Sequence, residues 1–104
     1  MLNDKKLKKR YEKLKKEFEH LKNRIGSETN YKNYEYRGHK YYIQIAHRNT
    51  SAGLRWFWQN KWTFKIVYTT KGEHKNIAPF CLFTSFDDCI LNAVLCEDSL
   101  KSKL

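Results

Sequence analysis

Between residues 4 and 25 the apolar side chains Leu7, Tyr11, Leu14, Phe18, Leu21 and Ile25 recur at alternating spacings of four and three. This is the a/d stripe of a heptad and predicts an amphipathic helix. Asn3 or Asp4 stands where its side chain can cap the first amides, and Gly26 stands where a left-handed residue ends a helix. Fewer than three heptads hardly sustain an isolated helix in water, so the stripe must pack on something. Two solutions are open: the sheet of its own chain, or another helix, as in a homodimer through this segment.

The period then changes from heptad to two. Residues 26–33 are short and polar and read as a connector, and Gly38 marks a turn or bulge before the main strand. From there Tyr41, Ile43, Ile45 and His47 alternate with Lys40, Tyr42, Gln44, Ala46 and Arg48, and the first set predicts a buried face. After a polar loop, Arg55, Trp56, Phe57 and Trp58 open the second strand or a short strand before it. Trp62, Phe64, Ile66 and Tyr68 alternate with Lys61, Thr63, Lys65 and Val67, and residues 70–73 read as the next turn. Residues 77–83 are nearly all apolar and predict the third strand, with Pro79 at an edge or bulge because it lacks a backbone donor. Thr84 or Ser85 followed by Asp87 and Asp88 is a helix start, and Phe86, Cys89, Ile90, Ala93, Val94 and Leu100 then share one face.

The expected fold is therefore α+β: an N-terminal basic heptad helix in residues 1–26, then a βββα unit in residues 27–104. Its three-stranded antiparallel sheet carries the C-terminal helix on one face. At 104 residues the two parts form one structural unit, and 40% hydrophobic with 15% aromatic residues is enough for a single core.

Charge sharpens this picture. The chain has 21 Lys and Arg against 11 Asp and Glu, a formal net charge of +10. Residues 1–25 hold ten bases and four acids, and residues 28–83 hold nine and three. A field of that sign draws polyanions, nucleic acid first. Lys5, Lys8, Lys9, Lys13, Lys15 and Lys16 are candidate phosphate contacts on the helix, read otherwise as a solvated helix face. Lys40, Tyr42, Arg48, Lys61 and Lys65 form a second candidate set on the outward sheet face. Arg55, Trp56 and Trp58 are candidate anchors for a protein interface, since Trp and Arg dominate interface hot spots.

Other chemistry is weakly signalled. Cys81, Cys89 and Cys96 are an odd number without CxxC spacing, which argues against a disulfide framework or zinc ribbon and for a reducing cytoplasm. His20, His39, His47 and His74 are scattered, with no pairing that marks a catalytic site, although a small ribonuclease using His39 or His47 with Arg37 and Arg48 is conceivable. No catalytic residue, metal ligand or cofactor is expected. Neither a secretion signal nor a spanning segment of about 18 apolar residues is found, and the narrow stripe is a poor membrane helix.

The α-β-β-β-α order resembles the double-stranded-RNA-binding domain. That family's second helix opens with a phosphate-gripping lysine cluster where this chain has Asp87 and Asp88, so no site residue is carried over. The βββα portion is similar to the three-stranded-sheet DNA binders of the integrase and AP2 type, which implies basic and aromatic strand residues against a duplex. In style, a short Lys-, Asn- and Tyr-rich chain with a heptad helix also resembles small phage and prophage proteins, including anti-CRISPR inhibitors. That likeness implies a host nuclease effector or its ribonucleoprotein as partner. Together these readings point to a non-enzymatic basic protein that binds nucleic acid or a nucleoprotein, with a mobile-element inhibitor acting through protein contacts as the alternative.

Overall fold

A computed structural model describes residues 4–23, 26–49, 61–79 and 82–104 and shows an α+β fold of two helices and one four-stranded antiparallel sheet. Helix α1 (Lys5–Phe18) begins where the Asp4 carboxylate accepts from the Lys6 amide at 2.7 Å, and it tightens into a 3-10 turn over Glu19–Asn23. The strands are β1 (Gly26–Tyr36), β2 (His39–Asn49), β3 (Lys61–Thr70) and β4 (Glu73–Ile77), paired in chain order. Helix α2 (Phe86–Lys101) starts at Ser85, whose hydroxyl accepts from the Asp88 amide at 3.0 Å.

The expected three-stranded sheet is corrected to four strands. The polar run read as a connector, residues 26–33, is the greater part of β1, which pairs with β2 without interruption from Gly26–Asn49 to Tyr36–His39. Alternation could not reveal it, because its helix-side positions Glu28, Asn30 and Lys32 lie on an edge strand and none is fully buried. The last described strand is likewise the polar stretch Glu73–Ile77, which shares only Ile77 with the apolar run 77–83, and residues 80 and 81 of that run lie outside the described residues. Of that run, Ala78 and Pro79 lie outside any strand, and Phe83 rejoins β3 through a single bridge to Trp62. The β1–β2 and β3–β4 hairpins each turn on two residues with positive φ, Arg37 and Gly38 at 51° and 82°, and Lys71 and Gly72 at 51° and 76°. Such turns match the right-handed strand twist, and glycine takes the second position without strain.

Both helices lie on the same side of the sheet and run antiparallel, with Lys15 near Asp87 and Arg10 near Glu97. Leu14, Phe18 and Leu21 of the heptad stripe are completely buried, as are Ile43, Ile45 and Ile66 of the sheet and Cys89, Ile90, Ala93 and Val94 of α2. The stripe thus packs within its own chain. His47 belongs to this core: its ring stacks on Trp62 at 3.6 Å, and Nδ1 donates to the Leu21 carbonyl at 3.2 Å.

One polar cluster sits among these groups. The Glu97 carboxylate, 2% exposed, accepts two hydrogen bonds from the Arg10 guanidinium, Nε to Oε1 and Nη2 to Oε2, both 2.7 Å. It also accepts one from the Tyr41 hydroxyl at 2.7 Å. Arg10 lies over the Tyr34 ring at 4.5 Å, and the Tyr34 hydroxyl donates to Glu17 Oε2 at 2.9 Å. Burial works against the Arg10 charge, yet the hydrogen bonds and charge of Glu97 more than offset it and raise the guanidinium pKa. The same burial, with acceptor carboxylates beside them, raises both Tyr34 and Tyr41.

Removing one partner of a buried ion pair leaves the other charge without compensation, at a cost of roughly 3–5 kcal/mol. Glu97→Ala should therefore lower the urea midpoint severely, and Arg10→Met combined with Glu97→Leu should recover more than half of that loss. A second outcome concerns alkali. Tyr34 and Tyr41 keep their protons longer in the folded chain than in the unfolded chain, where tyrosine titrates near pH 10 (about the free value). The sign is that stability is fully present below that pH and is lost as pH rises above it. Urea midpoints across that range should fall more steeply for the native chain than for Tyr34→Phe.

Candidate functional site

Because both helices take one face of the sheet, the other face is left uncovered by any described element. The register decides what stands there. Tyr42 opposes Val67, Gln44 opposes Lys65, Ala46 opposes Thr63 and Arg48 opposes Lys61, and these pairs alternate with the buried ones. On β1 the same face carries Thr29, Tyr31, Asn33 and Glu35, the last opposite Lys40. Thr69 and His74 extend it onto β4, where the Thr69 hydroxyl and His74 Nδ1 are 3.1 Å apart.

The outward set read from sequence is thus gathered on one surface: Lys40, Tyr42, Arg48, Lys61 and Lys65 all lie on it. Among the described residues of the face Glu35 is the only acid. Three members were missed by sequence reading, Thr29, Tyr31 and Asn33, because the segment that holds them was taken for a connector. The signal was the Arg37-Gly38 turn: a two-residue hairpin before β2 requires a strand of similar length on its other side. Tyr31 is 59% exposed, and its ring centroid is 5.5 Å from that of Tyr42.

The helix lysines are elsewhere. Lys5, Lys8, Lys9, Lys13 and Lys16 are exposed on α1, in the helical layer and so on the opposite side of the sheet from Lys40, Lys61 and Lys65. Lys15 is only partly exposed, with Nζ 3.4 Å from the Asp87 carboxylate and lying over the Tyr11 ring. The two candidate cationic sets therefore do not form one patch. The molecule carries positive charge on two faces separated by its thickness.

The proposed protein anchors Arg55, Trp56 and Trp58 lie outside the described residues. Of the histidines weighed for acid-base work, His47 is 3% exposed inside the core, and His39 is at the far end of the same strand, roughly 27 Å away at the rise of an extended chain. Cys89 is buried, and burial pushes its thiol up to about 12; burial also raises Cys96. No described group of three His, Cys, Asp or Glu side chains is arranged to hold a metal ion, and no described helix is long and apolar enough to cross a membrane.

Side chains on an uncovered sheet face contribute little to folding, typically within about 0.5 kcal/mol each. Lys61→Gln with Lys65→Gln should thus leave the urea midpoint nearly unchanged, in contrast to Glu97→Ala, which separates the surface from the scaffold. The chain matches no protein-family model, no curated protein and no solved structure, so its function is read from the chemistry of this face.

Proposed function

We propose that the protein is a non-enzymatic basic binding domain that engages nucleic acid, free or within a nucleoprotein, through the open face of its sheet. The observation that carries this reading is the set Lys40, Lys61, Lys65 and Arg48 on one surface that no described element covers, with a single acid among its described residues and two tyrosines. Phosphates meeting those side chains release their counterions, which supplies affinity without reference to sequence. The strand rise of about 3.3 Å and the strand separation of about 4.8 Å place successive cations at spacings that an extended phosphate backbone can follow. The lysines of α1 act differently: on the far side of the sheet they raise the overall positive potential and with it the rate of encounter. Cytoplasmic nucleic acid is the partner class, and no cofactor is required for such binding.

The test is a salt series with labelled RNA and DNA. Log affinity should fall linearly with log salt, and each lysine removed from the face should reduce the slope by roughly one. Lys61→Gln with Lys65→Gln should therefore bind less tightly and with a shallower salt dependence. Affinity unchanged in that variant would remove the sheet face from consideration. Weak binding to every nucleic acid near physiological salt would turn the search to a protein partner, such as a nuclease effector.

A further inference from the structure

Positive charge alone does not distinguish a duplex from a single strand. The aromatic groups on the face do. Tyr31 is the most exposed large apolar side chain among the described residues, and it stands beside Tyr42 with the two rings tilted by 58°. Neither ring is needed to cover the core, since both lie on the side of the sheet away from it. An exposed ring beside a half-buried one, with lysines on the same face, makes a stacking platform, and only a strand with unpaired bases has base faces to lay on it.

Next to Tyr42 the face is dished into an open concavity of about 750 Å³, within the usual range for ligand sites of about 300–1,000 Å³. Tyr42 and its cross-strand partner Val67 supply apolar surface there, and Asn33, Glu35, Lys40 and His74 supply polar groups. Glu35 is out of place on a surface meant for phosphates. It opposes Lys40 across the ladder, yet the two do not close an ion pair with each other or with another described residue. A carboxylate is acceptor-only and an ammonium is donor-only. Side by side they match an edge bearing two neighbouring N–H donors and a carbonyl oxygen. Among the common bases guanine has that edge: N1–H and the N2 amine face a carboxylate, and O6 faces a cation.

We propose that the open face binds single-stranded nucleic acid, stacking bases on Tyr31 and Tyr42 and seating a guanine in the concavity against Glu35 and Lys40. The inference rests on the nucleic-acid reading of the same face and adds the strandedness and the base. Lys61 and Lys65 hold the backbone beside the platform.

The experiment uses fluorescence anisotropy with labelled strands of about ten nucleotides, in the range of site sizes for small single-strand binders. An all-U strand, the same strand with one central G and the same strand with one central A are compared, as RNA and as DNA, with a duplex of equal length. At equal salt the tighter of the RNA and DNA single strands should exceed the duplex by about tenfold or more. Tyr31→Ser and Tyr42→Leu should each weaken single-strand binding by about tenfold with the salt slope unchanged, and thermal melts check that both remain folded. The G strand should bind about tenfold more tightly than the A strand, and Glu35→Gln should abolish that difference while leaving the all-U strand bound at least as well. Duplex binding equal to single-strand binding, with folded tyrosine variants unaffected, overturns the proposal; if Lys61→Gln with Lys65→Gln still weakens binding, the phosphate reading survives it. Equal affinity for G and A strands overturns the guanine assignment. No binding to any strand at about 0.15 M salt overturns the underlying reading as well.

Discussion

A carboxylate taken out of water must meet cations and donors in good geometry or cost several kcal/mol. Glu97 is such a group, and what satisfies it comes from three elements: the guanidinium of Arg10 on α1, the hydroxyl of Tyr41 on β2 and its own position on α2. Satisfying it locks α1 against α2 and both against the sheet. The bidentate Arg geometry carries direction as well as charge, so rotating α1 by one residue position would break it. Tyr34 and Glu17 extend the same constraint to β1, with Glu17 Oε1 held 3.7 Å from Arg10 Nη1 and without a hydrogen bond of its own.

That arrangement settles which surfaces remain. With Leu14, Phe18 and Leu21 drawn under the helix and α2 alongside, one face of the sheet is covered by two antiparallel helices and the other by nothing described. The cations divide accordingly. Arg10 is taken into the interior pair and Lys15 is engaged by Asp87, so two of the bases on α1 serve the fold. The remaining helix lysines point away from the sheet, and the strand lysines form a separate surface. A ligand contacting both would have to wrap around the domain, whose shortest dimension is 22 Å. One continuous, basic and partly aromatic face is the simpler candidate surface.

His47 shows how the same side chain reads differently in sequence and in space. Its place in an alternating strand already put it with the inward residues, while its chemistry made it a candidate for acid-base work. Stacked on Trp62 and donating to Leu21, it ties β2 to the middle of the 3-10 turn. Tyr31 is the opposite case, lying in a run without apolar alternation yet becoming the most exposed tyrosine of the open face.

By itself the sequence determined whatever depends on local periodicity and capping. The heptad stripe, a cap at Asn3 or Asp4 and another at Thr84 or Ser85, the turn within residues 70–73 and the inward sets of β2 and β3 are legible from residue type and spacing, and burial on one face of a helix or strand leaves a period that can be counted. Edge strands escape that count. β1 and β4 keep polar side chains because water still reaches them, and pairing rather than burial makes them strands. Only the tertiary structure decided that the stripe meets its own sheet, that Arg10 belongs to Glu97 across 87 positions of chain, and that the cationic sets lie on opposite faces. These are matters of which distant groups meet, and a buried charge chooses its partner by geometry that no local spacing encodes.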